Sequence, residues 1–118
     1  MPRFLFGIPV LFVGLLAGCA TLPATETGRI DQRQIEYAQT GHGSPVVVFE
    51  NGLGASMRSW SRVFPEIGEQ ATVFAYNRPG YGGSEPASTP RDGAHVVDEL
   101  LTLLNSLALK PHYVLIGH

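Results

Sequence analysis

Residues 45–55 read Pro45-Val46-Val47-Val48-Phe49-Glu50-Asn51-Gly52-Leu53-Gly54-Ala55. An unbroken run of β-branched and aromatic residues suits a strand buried on both faces, as in a parallel sheet. The run stops at Glu50-Asn51 and passes into a Gly-rich turn. Two further runs of this kind follow, Ala71–Asn77 (ATVFAYN) and His112–Gly117 (HYVLIG). Between them the period changes. In Ser56–Gly68, Met57, Trp60, Val63, Phe64 and Ile67 recur at helical spacing, with Ser56 as N-cap and Pro65 expected to end or bend the helix. In Arg91–Leu109, a broad stripe from Val96 to Leu107 predicts a second helix. Upstream, Arg29–Gln39 alternates around Ile30, Ile35 and Tyr37, which predicts one or two half-exposed antiparallel strands. Strands alternating with helices make this an α/β chain with a mostly parallel sheet.

In open α/β sheets ligands bind beyond the carboxyl ends of the strands. Three such ends are present: Glu50-Asn51-Gly52-Leu53-Gly54, Asn77-Arg78-Pro79-Gly80-Tyr81-Gly82-Gly83-Ser84, and Gly117-His118. Two Gly-rich turns raise the question of a dinucleotide. The first has Met57 where the third glycine of G-x-G-x-x-G belongs. The next strand ends at Asn77, without an acid for a ribose, and the second turn runs into Glu85-Pro86 rather than a helix. A nucleotide site is set aside, and no Walker loop is present.

Composition narrows the classes further. The 118 residues are 44% hydrophobic, with a net charge of −2 and no basic patch, so a packed core is expected and nucleic acid is not. The single cysteine, Cys19, rules out an internal disulfide. His42, His95, His112 and His118 form no metal-ligand spacing, so neither a metal nor a cofactor is expected.

The three turns together resemble the α/β-hydrolase family. Asn51-Gly52 stands where that family has His-Gly, and Trp60 follows Gly52 by eight residues, as often there. Asn77–Ser84 is similar to the D-R-P-G-x-G-x-S segment after the fourth strand. Val114-Leu115-Ile116-Gly117-His118 is similar to the fifth strand running into a G-H-S-x-G elbow. The resemblance spans Arg29–His118. It implies the N-terminal part of the hydrolase sheet, strands one to five with two helices, and Val46–Glu50 lying between the other two buried strands. It also implies an esterase- or lipase-type parent that cleaves an ester, amide or related acyl bond of a small molecule. A nucleophile, a His and an Asp or Glu would do this. The nucleophile would directly follow His118, so no catalytic residue lies within the chain, and the chain alone is expected to be inactive. Gly117 and His118 are the start of the elbow. The backbone of Leu53, flanked by Gly52 and Gly54, is the candidate oxyanion donor. The absence of H-G-x-P argues against epoxide hydrolases and haloalkane dehalogenases. A short non-catalytic lipoprotein with a binding or structural role is the alternative.

Met1–Ala20 (MPRFLFGIPVLFVGLLAGCA) has a basic start, an apolar stretch and small residues at its end, the grammar of a signal peptide. Leu16-Ala17-Gly18-Cys19 resembles the lipobox of bacterial lipoproteins. That implies cleavage before Cys19, acylation of its sulfur, and anchoring to a bacterial envelope membrane. An ordinary secreted or periplasmic protein and an uncleaved anchor stay open. The expected division is 1–18 signal peptide, 19–28 polar tether, and 29–118 partial hydrolase domain ending at the nucleophile elbow.

Overall fold

The computed structural model describes residues 21–118. The expected signal peptide and lipobox, with Cys19, lie outside the described residues. In chain order the elements are β1 (Glu26–Ile30), β2 (Arg33–Thr40), β3 (Val46–Glu50), a 3₁₀ turn (Met57–Trp60), α1 (Phe64–Gly68), β4 (Thr72–Tyr76), α2 (Gly93–Ser106) and β5 (Tyr113–Gly117). They build one five-stranded sheet in the order β1-β2-β4-β3-β5. β3 lies between β4 and β5 and is parallel to both, in register Val46↔Thr72 and Val46↔Tyr113. β1 and β2 add an antiparallel edge, with Tyr37 opposite Tyr76. The sheet is thus mixed, its parallel part being β4-β3-β5.

The apolar runs of β3 and β4 follow from burial on both faces. Side chains alternate across a strand. Val46, Val48, Phe74 and Tyr76 therefore point to one face, into a core with Leu103, Leu104 and Leu109 of α2 and its C-terminal cap. Val47, Phe49, Val73 and Ala75 point to the other, against Met57 and Phe64. β5, expected to be buried like β3 and β4, is instead an edge strand paired with β3 alone, and Val114 and Leu115, on its opposite faces, are both exposed.

Three local features depart from expectation. The strand β1 begins at Glu26, so Glu26–Gly28, assigned to the tether, belong to the sheet. Pairing with β2 extends it: Glu26 lies opposite Tyr37 and accepts its hydroxyl hydrogen bond at 3.0 Å. Gly28 lets Leu103 pack closely there: a Cβ would stand 2.8 Å from Leu103 Cδ1, which would have to shift. Second, the expected single helix over Ser56–Gly68 is two short pieces. Pro65 opens α1 instead of ending a helix, which suits a residue without an N–H at the first turn. Third, Ser56 occupies the N-cap position of the 3₁₀ turn but makes no side-chain cap bond.

α2 is bounded as its sequence dictates. Asp92 accepts the His95 N–H at 3.0 Å and caps its start. At its end the Leu109 N–H reaches Leu104 O at 2.9 Å and the Ala108 N–H reaches Asn105 O at 3.1 Å, the paired bonds of a Schellman cap. The cap needs a left-handed residue, and Ala108 takes it at φ 56°. Midway, buried Glu99 accepts from Arg91 at 2.9 Å on each oxygen and from Arg33 at 3.2 Å, tying α2 to the β1–β2 turn. An L-residue in the left-handed region costs about 1–2 kcal/mol. Ala108→Gly should therefore raise the unfolding free energy by about 1 kcal/mol in urea titrations followed by circular dichroism. No gain, or a loss, would contradict the cap.

Candidate active site

The carboxyl ends of β3, β4 and β5 meet at one corner of the sheet. β3 and β5 end level, with Glu50 opposite Gly117. One residue past its strand, Asn51 is buried to 1% exposure. Both polar atoms of its amide are partnered: Nδ2 donates to Tyr76 O at 2.7 Å and Oδ1 accepts from Trp60 Nε1 at 2.8 Å. Buried polar groups left unpaired cost about 1–3 kcal/mol each, so these bonds fix both Asn51 and Trp60. The Trp60 ring stacks on Phe49 with centroids 4.4 Å apart.

Arg78, just past β4, closes the corner from the other side. Its Nε donates to Glu50 Oε1 and its Nη2 to Asn51 O. The Tyr76 hydroxyl donates to the other Glu50 oxygen at 2.8 Å. Burial first, and then the Glu50 carboxylate, push that hydroxyl well above the usual tyrosine range, so Tyr76 stays a donor. The Asn51 carbonyl is thereby held, and with it the plane of the peptide that leads into Gly52.

Gly52–Ala55 is a tight turn closed by the Ala55 N–H to Gly52 O at 3.1 Å, with Gly54 at φ 78°. Gly52 abuts the end of β5. A Cβ there would lie 2.7 Å from His118 O and 3.0 Å from His118 Nδ1. The Leu53 side chain is 94% exposed, and its backbone N–H has no acceptor among the described residues. Of the predicted site residues, Gly52 is brought against His118, and Gly117 lies opposite Glu50; Leu53 and Gly54 follow in the turn, and a Cβ on Gly54 would have nothing within 4 Å. The His118 ring tilts against Trp60 at 5.0 Å between centroids. Cys19 lies outside the described residues. Among those residues no group of metal-ligating side chains is assembled.

A second network holds the loop after β4. Asn77 joins three elements: Oδ1 accepts from Met57 N at 2.9 Å, Nδ2 donates to Glu36 Oε2 at 2.7 Å, and its carbonyl accepts from Ser84 Oγ at 2.6 Å. The bond to Met57 supplies the cap that Ser56 does not. Glu36 also accepts the Gly83 N–H at 2.7 Å. Arg78 was legible as a loop-holding residue, but its partners Glu50 and Asn51, and those of Asn77, went unread in the sequence. Their signal was four polar residues at the matching ends of two apolar strands, carrying the complementary charges of Glu50 and Arg78.

A family model described as the alpha/beta hydrolase fold matches residues 45–118. The chain belongs to the α/β-hydrolase fold family. Among curated relatives it is 32% identical over 78 residues to YqjL of Bacillus subtilis, across 66% of this chain and 31% of that protein. It is 38% identical over 69 residues to "Putative carbamate hydrolase RutD" of Pseudomonas savastanoi pv. phaseolicola, across 57% of this chain and 26% of that protein. The matched segment thus spans under a third of either relative. Among solved structures, the epoxide hydrolase CorEH superposes with a TM-score of 0.72 at 28% identity, over 80% of this chain and 33% of that one. A bacterial membrane phospholipase A gives 0.74 at 23% identity, over 84% and 32%. That last likeness is one of fold.

The Gly83 hydrogen bond holds the Glu36 carboxyl below its ordinary value of 4.5; burial opposes this and Asn77 reinforces it. A folded carboxyl with a depressed pKa stabilises the fold fully above about 4.5 and loses that contribution as pH falls through the lower, folded value. The stability gap between the wild type and Glu36→Gln should accordingly be full at pH 6 and narrow below about pH 4.5. A gap that widens on acidification would contradict the assignment.

Proposed function

We propose that Glu26–His118 form part of a hydrolase that cleaves an ester, amide or related acyl bond of a small molecule. A nucleophile following His118 attacks the carbonyl, and a His and an acid from elsewhere in the fold activate it. The observation that supports this reading is the contact of Gly52 with His118. On this reading the Leu53 N–H, which has no acceptor among the described residues, serves the carbonyl attacked at the elbow, where charge develops on the oxygen. The Glu50–Asn51–Arg78 network holds that donor still, so little reorganisation is needed during reaction. The likeness to CorEH favours epoxide opening as a second reading. Against it stands Gly52-Leu53-Gly54-Ala55, which lacks the H-G-x-P turn.

The reading also includes acylation of Cys19 and a place at a bacterial envelope membrane. Its support is Leu16-Ala17-Gly18-Cys19 after an apolar run, and two acyl chains give stable anchoring where one does not. Growth with labelled fatty acid should label the wild-type chain and not Cys19→Ala; equal label on both would defeat this part.

No serine of the chain stands in G-x-S-x-G, so the purified 118-residue chain should turn over p-nitrophenyl acetate no faster than buffer. Turnover well above the blank and lost in His118→Ala would overturn the site assignment. In a polypeptide that carries Gly117-His118 followed by a nucleophile, Leu53→Pro removes the N–H without a core contact. It should lower kcat about 10²–10³-fold, whereas Leu53→Ala should leave kcat unchanged. Equal effects from both would show that the backbone N–H is not the donor.

A further inference from the structure

The segment that leaves the fold toward Cys19 does not hang free. Leu22 is half-buried and packs against the core of Met57, Phe64 and Ala38 on the α1 side of the sheet. Thr21, Leu22, Pro23 and Thr25 form one wall of an open cleft of about 380 Å³, and Arg58 and Ser61 form the other. Three residue steps separate Cys19 from Leu22. Fully extended, three residues reach only about 10–11 Å. A lipid on Cys19 would therefore enter the bilayer close to this cleft, and one face of the body would be held against the surface.

That face carries suitable groups. Arg58 and Arg62 are exposed, and neither forms a hydrogen bond or ion pair with a described residue. By contrast, Arg33, Arg78 and Arg91 are each paired with a buried or half-buried glutamate. Glu66 and Glu69 are exposed on α1 without pairing to either free arginine, and Glu36 feels Arg58 only through space. Val63, between the arginines and α1, is 41% exposed. Two unpaired guanidinium groups around an exposed valine match a surface of lipid phosphates over acyl chains. Across the sheet from Leu22, Val97 and Leu101 of α2 line an apolar groove with Leu115.

We propose that the face formed by the Thr21–Thr25 segment, the 3₁₀ turn and the start of α1 lies against an anionic phospholipid surface, with Arg58 and Arg62 on the headgroup phosphates. The proposal rests on the acylation of Cys19. It gives the anchored body a fixed orientation, with α2 turned away from the membrane.

The test uses the full chain expressed in a bacterium. The mass of the Cys19 adduct is measured first. The protein is then placed in vesicles of phosphatidylglycerol and phosphatidylethanolamine, or of phosphatidylcholine alone, and backbone hydrogen exchange is compared. Each arginine near an anionic surface is worth about a fivefold change in binding. Residues 56–63 should exchange roughly fivefold or more slowly on the anionic vesicles, with α2 unchanged. Arg58→Glu/Arg62→Glu should remove the difference while the adduct mass and the exchange of β3 and β4 stay the same. Acylated protein that exchanges equally on both vesicles, or that is protected on α2 instead, would overturn the orientation alone. An unmodified Cys19 would overturn the orientation and the acylation together.

Discussion

Burial of β3 and β4 on both faces is the constraint from which the rest follows. Two strands enclosed in this way must be apolar along their length, and Val46–Phe49 and Thr72–Tyr76 are all buried. Their polar backbone and side-chain groups can escape the core only at the ends. There the chain must turn, and whatever is polar must find partners within reach. Asn51, at 1% exposure, succeeds because Tyr76 O, Trp60 Nε1 and Arg78 meet it from three sides. The same bonds hold the turn that carries Leu53. Stability and site geometry therefore share one set of contacts at this corner.

How much the sequence disclosed varies with the kind of signal. The three strands and their parallel pairing were legible, because continuous apolar runs separated by helical periods admit few arrangements; the central place of Val46–Glu50 came from the family resemblance, and β5, expected to be buried, is an open edge strand instead. α2 was legible for the same reason, its leucine stripe outweighing its ends. The start of β1 was not, since Glu26-Thr27-Gly28 lacks apolar character and is ordered by pairing with β2 and by the approach of Leu103. The break between the 3₁₀ turn and α1 was hidden because a helical period survives a short interruption. Pro65 was read by its habit of ending helices when it opens one.

At the site, the glycines and Leu53 were found from turn chemistry and family likeness. The polar residues beside them were taken as deviations from a pattern. In the structure they are the framework: Glu50 and Asn51 meet Arg78 and Tyr76, and Asn77 supplies the cap for the 3₁₀ turn that Ser56 leaves open. Long-range pairing of this sort is invisible to local reading, because Asn51 and Arg78 stand 27 positions apart. Strand register is what brings them together.

The Glu50–Arg78 pair clamps the ends of β3 and β4 and so holds the turn at Gly52. A double-mutant cycle tests it most directly. Unfolding free energies are measured for the wild type, Glu50→Gln, Arg78→Met and the double variant. Groups in one hydrogen-bond network couple by about 0.5–3 kcal/mol. The account predicts a favourable coupling in the upper half of that range, with the double variant losing far less than the sum of the singles. Losses that simply add would mean that the two residues act independently, and would contradict the clamp.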